Sequence, residues 1–189
     1  MFYWNRKIHK TNILLGTMQK ELEEKNNILK ELSITDRLTG LYNRHKLDKV
    51  LDDEKARCDR YDDKFGVVLL DIDHFKSVND TYGHQVGDIV LVEIANILKS
   101  NIRSTDIVGR WGGEEFLIIC IKSDLEATKI VAEKCRKAIE NYNFTTIKHK
   151  TSSFGVAVSD KSESIKETIT RADDKLYKAK ETGRNKIVF

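Results

Sequence analysis

The chain has 189 residues, of which 40% are hydrophobic and 33% charged, with a formal net charge of +3. This mixed and nearly balanced charge excludes the clustered basic face that grips nucleic acid, and the lack of any apolar run of about 18 residues excludes a membrane span within these residues. The three cysteines, Cys58, Cys120 and Cys135, are odd in number and match no metal-ligand spacing, so free thiols in a reducing cytoplasm are expected rather than a disulfide scaffold or a zinc site.

The N-terminal "MFYWNRKIHK" is aromatic and then basic. It reads either as the inner end of a membrane helix, with Arg6, Lys7 and Lys10 on the cytoplasmic side, or as a frayed terminus. Residues 8 to 33 have a helical pattern. Ile8, Leu15, Met18, Leu22, Leu29 and Leu32 follow steps of seven, three and four, interrupted by Lys25. A short parallel dimer helix and a single amphipathic helix on its own domain both fit. Ser33, Thr35, Asp36 and Gly40 are capping and turn residues, so residues 1–33 form a dimerisation or signalling helix and 34–189 a globular domain.

A helix is expected from about Arg44 to Arg60, followed by the buried strand "FGVVLLDID" closing on Asp71 and Asp73. "HFKSVNDTYGHQVGD" reads as a short helix plus loop, with Asp88 capping an amphipathic helix from Ile89 to Lys99. Two strands, Asp106–Trp111 and Phe116–Ile121, flank a tight Gly112–Gly113 hairpin turn. A helix over 124–142, the strand "SSFGVAVS", a helix from Ser164 and a final strand "KIVF" complete the order. Its core is a βαββαβ unit. The expected fold is α+β and ferredoxin-like, an antiparallel central sheet surrounded by helices, with the central hairpin placing its turn beside the end of the first strand.

That placement brings Glu114 and Glu115 towards Asp71 and Asp73. Converging carboxylates repel one another unless a cation lies between them, and oxygen-only donors favour Mg²⁺ or Mn²⁺. Mg²⁺ completes its shell with phosphate oxygens and water, so a phosphate substrate is implied; two divalent ions on a triphosphate would activate its α-phosphoryl group. A turn with solvated acids is the competing reading. Around the same edge, backbone N–H groups from His74 to Lys76 begin a helix suited to phosphate, and Lys76 adds a charge. Asn79 and Asp88 have the groups to read a guanine edge, or to act as a helix-terminal amide and an N-cap. Arg184 and Lys186 offer further phosphate contacts or simply face solvent.

Five segments, "DRLTGLYNR" (36–44), "LLDIDHFKSVND" (69–80), "GHQVGD" (83–88), "RWGGEEF" (110–116) and "ADDKLYKAKETGRN" (172–185), together resemble the diguanylate cyclase, or GGDEF-domain, family in order and spacing. The resemblance implies a nucleotidyl-cyclase or palm-type domain that converts two GTP into cyclic di-GMP and two pyrophosphates. Each subunit of a homodimer presents one GTP. It implies two Mg²⁺ per site, replaceable by Mn²⁺, held by Asp71, the Ile72 carbonyl, Glu114 and Glu115, with Glu114 as the catalytic residue that helps deprotonate the 3′-hydroxyl. Asn79 and Asp88 correspond to guanine readers, Phe75 and His84 to substrate contacts, and Lys76 and Lys186, with Arg184 nearby, to phosphate ligands. Gly112 and Gly113 leave room for nucleotide.

The family's product-inhibition motif, Arg-x-x-Asp five residues before the signature, corresponds to Arg103 and Asp106, which implies feedback by cyclic di-GMP. His45 replaces the commoner arginine, a departure expected to alter an ion pair rather than catalysis. A catalytically silent domain that senses GTP or cyclic di-GMP is the alternative, and the intact Asp71, Lys76, Glu114 and Glu115 argue against it. A different nucleotidyl cyclase or polymerase-like palm shares the two-metal layout; the Asn79–Asp88 pair argues for GTP. A cytoplasmic location, in isolation or as the inner part of a membrane-anchored sensor, and an upstream sensor domain complete the expectation.

Overall fold

The computed structural model describes residues 15–25, 29, 34–61 and 63–189. The chain divides into two compact units, Met1–Ile34 and Thr35–Phe189. In the first, residues 15–25 form helix α1, where Lys25 and Glu21 pair one turn apart at 2.8 Å. Leu15, Met18 and Leu22 are exposed, as is Leu29. Ile8, Leu32 and the rest of the predicted heptads lie outside the described residues. No helix among the described residues is long and apolar enough to cross a membrane.

The second unit runs α2 (Arg44–Tyr61), β1 (Gly66–Ile72), α3 (Phe75–Tyr82), α4 (His84–Asn101), β2 (Ile107–Gly112), β3 (Glu115–Cys120), α5 (Leu125–Glu140), β4 (Ser152–Val158), α6 (Ile165–Glu181) and β5 (Ile187–Val188). The sheet order is β2-β3-β1-β4-β5, with only β4–β5 parallel. All seven residues of β1 are buried, because helices cover both faces. Val68, Leu70 and Ile72 face the core built with α3, α4 and α5. Val67 and Leu69 alternate to the opposite core, against Leu47 and Leu51 of α2 and Ala172 and Leu176 of α6. Helix α6 lies directly on β4: a Cβ at Gly155 would stand 1.9 Å from the Ala172 carbonyl oxygen, so no larger residue fits.

Three expectations are corrected. Helix α4 starts at His84 rather than Ile89, because Gly83, at φ 83°, lets the chain turn from α3 into α4 without a loop; Asp88 therefore lies inside α4 and is not its N-cap. In the hairpin, β3 lies inside the sheet and β2 at its edge. Gly112 and Glu115 belong to the strands, so the turn is Gly113–Glu114 and not Gly112–Gly113. Other helix starts follow their caps: Asp124 accepts from the Ala127 amide at α5, and Ser164 and Glu167 form a capping box at α6. Beside β2, Tyr42 makes a parallel bridge to Gly109, and Tyr42 also bridges to Thr35.

Candidate active site

Asp71 sits at the end of β1, directly opposite Glu115 of β3 and Ser153 of β4. Paired residues of an antiparallel ladder present their side chains on one face. That face is covered by α6, whose Lys180 ammonium is 2.8 Å from Asp71 Oδ2. Asp71 is 7% exposed. Burial raises its pKa to about 6, against the pull of Lys180 and with help from Glu114 and Glu115. Glu115 is also raised, first by burial, with Lys180 opposing and Asp173 and Glu114 adding repulsion. Burial therefore makes the ionised form of both carboxylates costly, although Lys180 pairs with Asp71.

The turn bearing Glu114 is braced from outside. Arg110 donates through Nε and Nη2 to the Gly113 carbonyl at 2.9 and 2.7 Å, and its Nη1 approaches both oxygens of Asp36 at 3.4 Å. Asp36 also accepts from the Thr39 amide at 2.9 Å and hydroxyl at 2.7 Å. Although burial opposes it, these bonds and the Arg110 charge hold the Asp36 carboxyl below its usual range. The Arg44 guanidinium lies 4.1 Å from the centre of the Trp111 ring. The segment 36–44 therefore supports the hairpin. No Cβ-sized obstruction surrounds Gly113, and only Glu115 Oε2, at 3.6 Å, would meet a Cβ at Gly112.

A cleft of about 190 Å³ opens at this edge, lined by Asp71, Ile72, Asp73, His74, Phe75, Lys76, Glu114, Lys180 and Arg184. Its acids come from β1 and the hairpin. Its cations come from α3, α6 and the turn after α6. The α3 N-terminus is set by His74 in the left-handed region, at φ 55°, whose carbonyl accepts from Lys150 Nζ at 3.3 Å. Asp73, expected to face the shared site, is 3% exposed and saturated by structure: it accepts from Thr151 Oγ1 and Ser153 Oγ, each at 2.7 Å, and from the Asn185 amide at 3.1 Å. It ties β4 and the turn after α6 to the end of β1.

Asn79 on α3 packs against Gly87 on α4, so the two helices meet where Asn79 and Asp88 lie; Asp88 and His84 are exposed, and Phe75 is buried beneath Gly87. Lys186 does not reach the cleft: its ammonium donates to the Thr182 carbonyl. Lys180 takes its place, a residue the sequence reading passed over. The signal was available, since Lys180 follows Ala179 and lies one turn beyond Leu176, at the border of the buried stripe of α6. At the other end of the hairpin, Arg103 is exposed and Asp106 is 6% exposed. The Asp106 carboxylate accepts from the Arg103 amide at 3.2 Å and the Ile121 amide at 3.3 Å.

The donor set fits Mg²⁺ or Mn²⁺. It is made of oxygens alone, from Asp71, Glu114 and Glu115, whose carboxylates are close enough to raise one another. Among the described residues no three His, Cys, Asp or Glu side chains form a ready-made cage.

The family model for the diguanylate cyclase GGDEF domain matches residues 33–186. Diguanylate cyclase DgcM of Escherichia coli K12 is 37% identical over 172 residues, 91% of this chain and 41% of that relative. The chain thus spans less than half the length of this curated relative. Among solved structures, diguanylate cyclase SiaD of Pseudomonas aeruginosa, in complex with its activator SiaC, aligns with a TM-score of 0.80 at 39% identity, covering 97% of this chain and 72% of that one. The GGDEF domain of DgcB from Caulobacter crescentus, in complex with c-di-GMP, aligns at 0.79 and 33% identity, covering 82% and 95%.

Proposed function

Since the chain belongs to the GGDEF family of diguanylate cyclases, we propose that it condenses two GTP into cyclic di-GMP and two pyrophosphates. The observation that carries this reading is the pairing of Asp71 with Glu115 across β1 and β3, with Glu114 in the adjoining turn and Lys76, Lys180 and Arg184 around the same cleft. Acids and cations around one cleft suit a triphosphate: the cations take phosphate oxygens, and the acids face the reacting end.

Asp71, the Ile72 carbonyl, Glu114 and Glu115 would hold two Mg²⁺, or Mn²⁺ in their place, which when bound neutralise triphosphate charge and lower the pKa of the attacking hydroxyl. Glu114, in the turn, accepts the proton of the 3′-hydroxyl. Lys76, Lys180 and Arg184 stabilise the charge that gathers on the departing pyrophosphate. Asp88 accepts from the guanine N1–H and amino group, and Asn79 bonds the remaining edge; His84 and Phe75 border the nucleotide. Lys186 contributes through the turn it closes rather than through direct contact.

Each product needs two nucleotides, so two copies face each other, and dimerisation through α1 raises the effective concentration of the second site. A sensor upstream of α1 would act by changing that pairing. Cyclic di-GMP binds Arg103 at the opposite end of the hairpin and inhibits; Asp106 fixes the turn that presents Arg103. Arg103→Ala is expected to abolish inhibition by added product while leaving initial rates intact. The direct test is incubation with GTP and Mg²⁺ followed by chromatography. Wild type is expected to form cyclic di-GMP and Glu114→Ala none; a dimeric wild type that forms none overturns the reading.

A further inference from the structure

Between α6 and β5 the backbone takes three left-handed residues in a row: Gly183 at φ 114°, Arg184 at 60° and Asn185 at 47°. Only the first is a glycine. L-residues avoid this region unless surrounding contacts impose it, and the contacts here converge on Asn185. Its amide donates to Asp73 Oδ2 at 3.1 Å, its Nδ2 donates to Glu140 Oε1 at 2.6 Å, and its Oδ1 accepts from Arg136 Nη1 at 2.8 Å. Arg136 is itself clamped on α5. It donates to Glu133 through Nε at 2.8 Å and Nη2 at 2.9 Å, and to Glu140 Oε2 at 3.0 Å. Its side chain is only 13% exposed. None of Arg136, Glu133 or Glu140 lines the cleft.

The residue suspended in this turn is Arg184, which does line the cleft. It is fixed from one side by its own amide, bonded to the Ala179 carbonyl at 2.9 Å, and from the other by Asn185. We infer that Arg136, acting through Asn185, is a positioning residue that holds Arg184 in the phosphate cleft. This rests on the GTP reading of that cleft. An ordinary surface ion pair between α5 residues would be nearly neutral; this one ends on the side chain that fixes a left-handed turn next to the site. Guanidinium geometry matters, because one planar group serves Glu133, Glu140 and Asn185 at once.

The consequence is selective. Loss of Arg136 releases Arg184 and weakens grip on the distal phosphates, but leaves the base contacts at Asn79 and Asp88, on α3 and α4, untouched. The test uses the full chain and two probes: α,β-methylene GTP, which cannot react, and GMP. Arg136→Met is expected to weaken the GTP analogue between about fivefold and fiftyfold and to leave GMP affinity within about twofold, with Arg136→Lys restoring part of the loss. In an Arg184→Ala background, Arg136→Met is expected to add nothing, since the residue it acts through is gone.

Equal losses for both probes, or a full additional loss in the Arg184→Ala background, would overturn the inference. Asn185→Gly serves as a second variant if Arg136→Met does not fold. It keeps access to the left-handed conformation, removes the side-chain bonds and is expected to show the same selectivity. A wild-type chain that forms no cyclic di-GMP from GTP overturns the functional reading and this inference with it; product from the wild type with additive losses overturns this inference alone.

Discussion

The hairpin turn at Gly113–Glu114 and the left-handed turn at Gly183–Asn185 feed the same cleft, and they do so with opposite charge. The first presents Glu114, beside Glu115, and the second presents Arg184. Each is held by an arginine lying behind it: Arg110 grips the Gly113 carbonyl, and Arg136 grips the Asn185 side chain. Each arginine answers in turn to carboxylates: Arg110 to Asp36 on a distant segment, and Arg136 to Glu133 and Glu140 on its own helix α5. The difference lies in what is gripped. Arg110 fixes a backbone carbonyl within the turn that carries Glu114, the proposed catalytic carboxylate, whereas Arg136 fixes a side chain next to Arg184, the proposed phosphate ligand. Precision in this cleft therefore comes from outside it, and the two braces are expected to fail in different kinetic parameters.

The largest effect is expected at the acid turn. Arg110→Ala should lower kcat by roughly 10- to 100-fold, with little change in KM for GTP, because the acids move while the phosphate ligands stay. Steady-state kinetics checks this; a change confined to KM would erase the contrast between the two turns. Next comes Asp71, where the two charge sets meet. It titrates at about 6 in the fold and near its ordinary value of 3.8 when unfolded. Between those values the folded chain binds more protons, so its stability falls as pH rises through that window and stays lower above it.

Asp71→Asn removes this penalty. It should stabilise the metal-free protein at pH 7.5 by up to about 3 kcal/mol while abolishing product formation, and thermal melting with and without the substitution decides it. A melting temperature that fell would mean that the Lys180 pair outweighs the burial cost. The smallest effect is expected at the far end of β3, away from both turns. Cys120 and Cys135 are fully buried, with thiols raised by burial, Cys135 to about 12. Thiol reagents should leave both unmodified at pH 8 in the native protein and label them on denaturation, as mass spectrometry would show.

The sequence was most readable where one physical signal dominated. The apolar run of β1 predicted a strand covered on both faces, and the hairpin rule placed the turn beside its end, which put Glu115 opposite Asp71 as expected. Elsewhere two signals competed. Asp88 reads as a cap because capping residues are usually acidic or hydroxylated, yet Gly83 starts the helix through backbone freedom alone. The sequence points Glu114 and Glu115 towards Asp73 as well as Asp71, yet Asp73 is taken up by donors from Thr151, Ser153 and Asn185. Lys186 reads as a phosphate ligand by its place after "GRN", but three left-handed residues turn the chain so that its ammonium caps α6, leaving Lys180 to face Asp71. Such reversals depend on φ values that residue identity signals weakly outside glycine.

Strand β2 is the outer strand of the sheet, and its backbone would be open to pairing with a foreign strand were it not for the bridge from Tyr42 to Gly109 and the bond from the Arg110 amide to the Tyr42 carbonyl. The segment that braces the acid turn is thus also a cover over a β-edge. Unpaired edges recruit other edges. A version of this chain shortened past Asn43 would lose its guard against self-association together with its grip on Glu114, so that failure of solubility and failure of chemistry would arrive through the same nine residues, 35–43.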